Sequence, residues 1–105
     1  MQRGDVHRFK APKGVGREQQ GERYGVVVQS DVMLPRSIVI VAPTSRSAKA
    51  ASFRPEAEIA GDLTRVLVEQ VGAVDVQRLG RRVGRLTAEE MWSVDEALVV
   101  VLGLD

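Results

Sequence analysis

Two short runs of β-branched residues, Val26-Val27-Val28 and Ile38-Val39-Ile40-Val41, constrain the fold of this chain more than any other feature. They are too short for buried helices, and branching at Cβ suits the pleated surface of a sheet, so each reads as a strand. Pro35 precedes the second run and Pro43 ends it, as expected at strand limits. Phe53, Pro55, Ala57 and Ile59 alternate with charged or polar residues, which predicts an edge strand with one buried face. Residues 64–71 predict a further strand, and Asp5 to Phe9 a short one ahead of the others. Between these lie two segments with loop composition: residues 11–22, rich in glycine and charge, and the small, polar residues 44–52.

The period changes in the last third. Asp75 is placed to cap a short helical turn through Leu79, closed by Gly80. Thr87-Ala88-Glu89-Glu90 has the form of a capping box. Beyond it Met91, Val94, Leu98, Val101 and Leu102 recur at three- and four-residue steps, an amphipathic helix whose early acidic residues suit the helix dipole. Strands followed by a terminal helix predict an α+β fold, a compact barrel-like sheet with helices at its ends. The 105 residues suit one domain over 1–105, with no internal repeat.

Composition narrows the chemistry. Hydrophobic residues make up 44%, enough for a core without staples. Cysteine is absent and His7 is the one histidine, so no thiol nucleophile, disulfide or Cys/His metal site is expected. No apolar run approaches the roughly 20 residues of a membrane helix, and the opening residues lack a signal-peptide core. A cytoplasmic protein without membrane contact is expected. The net charge of +1 conceals a division: residues 1–50 sum to +5 and residues 51–105 to −4. A basic half suits a polyanion on one face, or simply a solvated surface.

No P-loop, dinucleotide fingerprint or hydrolase triad is present. His7 is either a general base or a surface or pairing histidine. More informative is the order of Arg23, two apolar strands and Thr44. If the strands are neighbours, the guanidinium and the hydroxyl meet at one edge of the sheet. A guanidinium fork matches phosphate oxygens and the hydroxyl adds a donor. The alternative is an ordinary surface arginine and a threonine in a turn.

The ordered motifs go further. Arg3-Gly4-Asp5-Val6 opens the chain, and Gly16-Arg17-Glu18-Gln19-Gln20-Gly21-Glu22-Arg23 has the form G-x-E-Q-x-G-x-R. Val26 to Gln29, with Asp31, follows as a strand. Pro43-Thr44-Ser45, Thr64 to Gln70, Val74-Asp75-x-x-Arg78-Leu79 and Gly84-Arg85-Leu86 then follow in order. Over nearly its whole length the chain resembles the MazF/PemK family of toxin endoribonucleases from bacterial toxin–antitoxin pairs. The resemblance implies an SH3-like small β-barrel (MazF/CcdB-like) with a C-terminal helix, acting as a homodimer without cofactor or metal. It implies cleavage of single-stranded RNA by 2′-hydroxyl attack, arresting translation and growth, and neutralisation by a cognate antitoxin.

By position, Arg23 and Thr44 take the catalytic places, and Glu18 and Gln19 fall in the substrate-contacting loop. Tyr24 stands where the family usually has proline, which either changes how Arg23 is aimed or offers a ring for a base to stack on. Arg46 and Lys49 are placed to follow the RNA backbone. Glu22 and Glu69 are the candidate general bases. The Arg78, Arg81, Arg82, Arg85 cluster either contacts RNA or forms a solvated face. Of the aromatics, Phe9 and Phe53 are expected in the core and Trp92 on the helix or a dimer seam. Two non-nuclease readings compete: a toxin of the same fold that binds DNA gyrase, and a degenerate antitoxin-binding module.

Overall fold

The computed structural model describes residues 1–11 and 21–104. Among these residues, seven strands and one α-helix run in the order β1 (Asp5–Ala11), β2 (Gly21–Val27), β3 (Ile38–Ser45), β4 (Glu56–Ile59), β5 (Asp62–Val66), β6 (Gly72–Asp75), β7 (Leu79–Arg85) and α1 (Ala88–Leu102). All pairings are antiparallel, in the order β4-β5-β3-β2-β1-β7, with β6 also on β3. The sheet curls into an SH3-like half-barrel closed by α1.

Strand β3 is the hub. One edge pairs with β2 (Val27 opposite Val41), while the other is shared between β6 (Ile38 to Val41) and β5 (Thr44 and Ser45). Pro43, expected to end the strand, lies inside it opposite Gly25. It is tolerated because its carbonyl, accepting from Leu67 N–H at 2.8 Å, faces the edge where the ladder passes from β6 to β5. The missing N–H of the proline lies on that same interrupted edge. Strand β3 therefore runs on through Thr44 and Ser45, and the loop predicted from residue 44 begins only after them.

The strand predicted over 64–71 stops at Val66 and gives way to a 3₁₀ turn at Val68–Gln70. Val66, Leu67 and Val68 are all buried, whereas consecutive strand side chains point to opposite faces. The turn brings all three inward. Glu56–Ile59 is the edge strand its alternation predicts, with Ala57 and Ile59 buried. A two-residue turn joins β4 to β5, with Ala60 at φ 53° and Gly61 at φ 84°.

Asp75 caps its 3₁₀ turn by accepting from Gln77 N–H at 2.8 Å. Gly80 does not close that turn; it sits within β7. A Cβ there would lie 3.1 Å from that of Arg8, so its role is close strand packing. Strand β7 has no apolar alternation and pairs with β1 through a bulged register. It is tied by Arg82 Nε (3.2 Å) and Arg85 Nη1 (2.9 Å), both donating to the buried Asp5 carboxylate. Two of the four clustered arginines are thus committed to Asp5. His7, also buried, makes a 2.9 Å hydrogen bond between Nδ1 and the Gly80 carbonyl.

The capping box of α1 is complete: Glu90 N–H donates to the Thr87 hydroxyl, and Thr87 N–H to Glu90 Oε1. Glu90 Oε2 also accepts from Glu58 N–H at 2.9 Å, tying the helix start to β4. The face carrying Val94 and Ala97, with Met91, Leu98 and Val101 around it, packs on Val6, Val26, Ala42, Val66 and Val68. Leu102 is exposed, beyond that face. Phe9, Val27, Val39 and Val41 form a second cluster, and Phe53 packs half-buried against the first. Trp92 is 67% exposed. Among the described residues, no helix is long and apolar enough to cross a membrane.

Candidate active site

The register places Arg8 on β1 opposite Tyr24 on β2. One residue from that cross-strand pair, Gly25 faces Pro43, so β2 and β3 are neighbours and the Arg23–Tyr24 pair meets the Thr44 end of β3. Here a pocket of about 390 Å³ opens, lined by Arg8, Arg23, Tyr24, Thr44, Arg46 and Asp62 together with small hydroxyl residues and Ile59. Arg23 and Thr44, 21 positions apart in the chain, are two walls of one cavity.

Thr44 is 2% exposed, and its Oγ1 donates to the Tyr24 carbonyl at 3.1 Å. The hydroxyl is therefore held in one orientation, with its lone pairs available to a ligand. Beside it the Ser45 hydroxyl accepts from the N–H groups of Ser47 and Ala48 at 3.2 and 3.1 Å, which shapes the turn carrying Arg46. The hairpin β4–β5 supplies the far wall through Ile59, Asp62 and Thr64. Arg46 Nη1 donates to Asp62 Oδ2 at 3.1 Å across the rim.

Three guanidinium groups against one carboxylate make a cavity suited to an anion. A buried hydroxyl at its wall adds a neutral donor or acceptor. Among the described residues, no group of three or more His, Cys, Asp or Glu side chains is arranged to hold a metal ion.

Of the residues expected from sequence, Arg23, Tyr24, Thr44 and Arg46 converge on the pocket. Lys49 is exposed and does not line it; its carbonyl accepts from Arg54. Glu69 also lies elsewhere. Its Oε2 takes two hydrogen bonds from Arg54, at 2.6 and 2.8 Å, which commits that carboxylate to a half-buried ion pair. Glu18 and Gln19 fall outside the described residues, as does the side chain of Glu22, whose backbone sits in β2 opposite Lys10.

Arg8 and Asp62 belong to none of the sequence motifs, and Thr64 enters one only as a strand residue, yet all three line the pocket. Arg8 carries a local signal, a cation following the core residue Val6 on the same side of a strand. Asp62 carries none, because its place depends on the two-residue turn and on the pairing of β5 with β3.

A family model described as PemK-like, MazF-like toxins of type II toxin–antitoxin systems matches residues 2–102. A provisionally named toxin of Mycobacterium tuberculosis H37Rv is 43% identical over 90 residues, covering 85% of this chain and 84% of its own. Endoribonuclease EndoA of Bacillus subtilis is 34% identical over 113 residues, covering 99% of this chain and 96% of its own. Among solved structures, an endoribonuclease from a mycobacterial species, in complex with its cognate antitoxin, superposes with a TM-score of 0.82. It is 18% identical and the match covers 100% of this chain and 97% of that one.

Proposed function

Because the chain belongs to the PemK-like, MazF-like toxins of type II toxin–antitoxin systems, we propose that it is an endoribonuclease whose active centre is the Arg23–Thr44 pocket. Its substrate is single-stranded RNA, cut to arrest translation, and it works in the cytoplasm as a homodimer silenced by a cognate antitoxin. The observation that supports this reading best is the convergence of Arg23 and Thr44 on one cavity with two further arginines.

The reaction begins when a ribose 2′-hydroxyl gives its proton to a general base, for which Glu22 is the remaining candidate, and its oxygen attacks the adjacent phosphorus. The pentavalent intermediate carries extra negative charge on its equatorial oxygens. The P–O5′ bond then breaks, leaving a 2′,3′-cyclic phosphate and a 5′-oxygen that takes up a proton. Arg23 serves as an electrostatic clamp and proton donor and not as a base, because a guanidinium offers N–H donors and no acceptor site. A donor aimed at such developing charge is worth about 3 kcal/mol in comparable sites.

Thr44 contributes a hydroxyl already buried at the pocket wall. To donate to the phosphorane it exchanges its bond with the Tyr24 carbonyl for one to a phosphate oxygen. Arg8 and Arg46 balance the charge of flanking phosphates, and the Tyr24 ring supports a neighbouring base. Glu69, engaged by Arg54 away from the pocket, does not serve as the base.

The test is incubation of the purified protein with a long single-stranded RNA in EDTA, beside Arg23→Ala and Thr44→Ala. Discrete cuts with 5′-hydroxyl ends, lost in both variants, are expected. Intact RNA after incubation with folded wild-type protein would overturn the reading.

A further inference from the structure

The pocket holds one carboxylate among its described lining residues, Asp62, in a cavity otherwise built to receive an anion. An acid there opposes phosphate binding, so its presence needs a reason. Fold stability does not supply one. The Arg46–Asp62 pair is exposed, with side chains 72% and 57% accessible, and such pairs contribute about 0–1 kcal/mol.

Position argues against a role at the reacting phosphorus. Thr44 lies opposite Val66, and Asp62 is four residues further along β5. At about 3.4 Å per residue, that separates the backbones by about 14 Å. Asp62, Thr64 and Val66 share one face of β5; the first two line the pocket while Val66 is in the core beneath it. With the scissile phosphate held at Thr44, as proposed above, the carboxylate stands at the level of a neighbouring nucleotide.

We infer that Asp62 reads the base of that neighbouring nucleotide and selects guanine; the inference rests on the RNA-cleaving reading above. A carboxylate is acceptor-only, with two oxygens and about four lone-pair sites. Single-stranded RNA is read on the Watson–Crick edges of unstacked bases. Of the four bases, guanine alone presents two adjacent N–H donors there, N1–H and the N2 amino group, spaced to meet both oxygens of one carboxylate. Uracil offers a single N3–H between two carbonyls, which face the carboxylate unfavourably. Cytosine and adenine each offer one amino group beside a ring nitrogen that repels it.

Arg46 need not leave for this to happen. Its Nη1 occupies one lone pair of Asp62 Oδ2, and the remaining sites accept the base. The guanidinium meanwhile offsets the carboxylate charge, so that the neighbouring phosphates are not repelled.

The test is cleavage of a pool of single-stranded RNA with randomised sequence, in EDTA, by wild type, Asp62→Ala and Arg46→Ala, with the cut ends sequenced. Wild type should require guanine at one position flanking the cut. Asp62→Ala should flatten that preference by about tenfold, the discrimination expected from one paired contact to a base edge. Arg46→Ala breaks the same ion pair and should slow cutting at every sequence with the guanine preference kept. Equal loss of preference in both variants would make the ion pair, and not the carboxylate, responsible, and would overturn the inference. So would wild-type cutting without a guanine requirement, with the nuclease reading left standing. A wild type that leaves the pool intact overturns both. Thermal unfolding of Asp62→Ala should match wild type, since an exposed pair is removed.

Discussion

Thr44 and Tyr24 lie on adjacent strands, and the threonine hydroxyl donates to the tyrosine's own backbone carbonyl at 3.1 Å. The bond ties the residue proposed to stabilise the reacting phosphate to the strand that brings Arg23. Thr44→Val keeps the shape but leaves that carbonyl without its partner, at a cost of about 1–3 kcal/mol. The cleavage rate should fall at least about a hundredfold, whereas Thr44→Ser should keep most of both properties. Single-turnover cleavage and urea unfolding on the same three proteins measure the two effects. A valine variant that cuts at the wild-type rate would remove Thr44 from the transition state.

Asp5 sets an acid limit to stability. Burial raises its pKa, but the backbone N–H of Gln2 and the guanidinium groups of Arg82 and Arg85 outweigh that and hold it below its ordinary 3.8. A depressed carboxylate stabilises the folded state fully above the unfolded value, and the contribution is lost as pH falls below 3.8 toward the folded one. Asp5→Asn should therefore be less stable at neutral pH, and the gap should close in acid. Urea midpoints from about pH 6 to about pH 2.5 test this linkage, and parallel curves for the two proteins would contradict it.

The β4–β5 turn holds a correctable strain. Ala60 sits at φ 53°, a left-handed conformation that costs an L-residue with a Cβ roughly 1–2 kcal/mol. Ala60→Gly or Ala60→Asn should raise the melting temperature, with Asn-Gly being the preferred pair for such a turn. A melting temperature lower than wild type in both would show that the turn is held by something other than local geometry.

Glu90 does more than complete a cap. One carboxylate oxygen serves Thr87 N–H and the other Glu58 N–H. Thr87→Ala should cost about 1 kcal/mol, the usual worth of an N-cap. Glu90→Ala should cost more, because it also frees β4 from the helix. Chemical denaturation of the two variants decides the order.

What was legible in the sequence was what is local. Val26 to Val28 and Ile38 to Val41 declare strands because β-branching and run length act within a few residues, and Thr87 with Glu90 declares a helix start for the same reason. Strand β7 escaped because Leu79–Arg85 has no apolar alternation; what holds it is its ladder with β1 and the Asp5 carboxylate 77 to 80 positions away. Pro43 misled because a proline ends a strand unless its N–H side faces a gap, and that gap exists only through the 3₁₀ turn at Val68–Gln70. The same logic divides the site. Arg23 and Thr44 stood out through an ordered set of short motifs, with physics supplying the reason for their pairing. Asp62 needed the register of β5 on β3 before it came into view.

The divided edge of β3 has one last consequence. Thr44 lies on the strand that holds β2 on one side and both β5 and β6 on the other, and that strand also carries Val39, Val41 and Ala42 into the two cores. Freeing such a residue disturbs the packing of both cores, which places it toward the stable end of the fold. The place of the hydroxyl is thus tied to the packing of both cores, and a partner that silenced the proposed site would do so by occupying or covering the pocket.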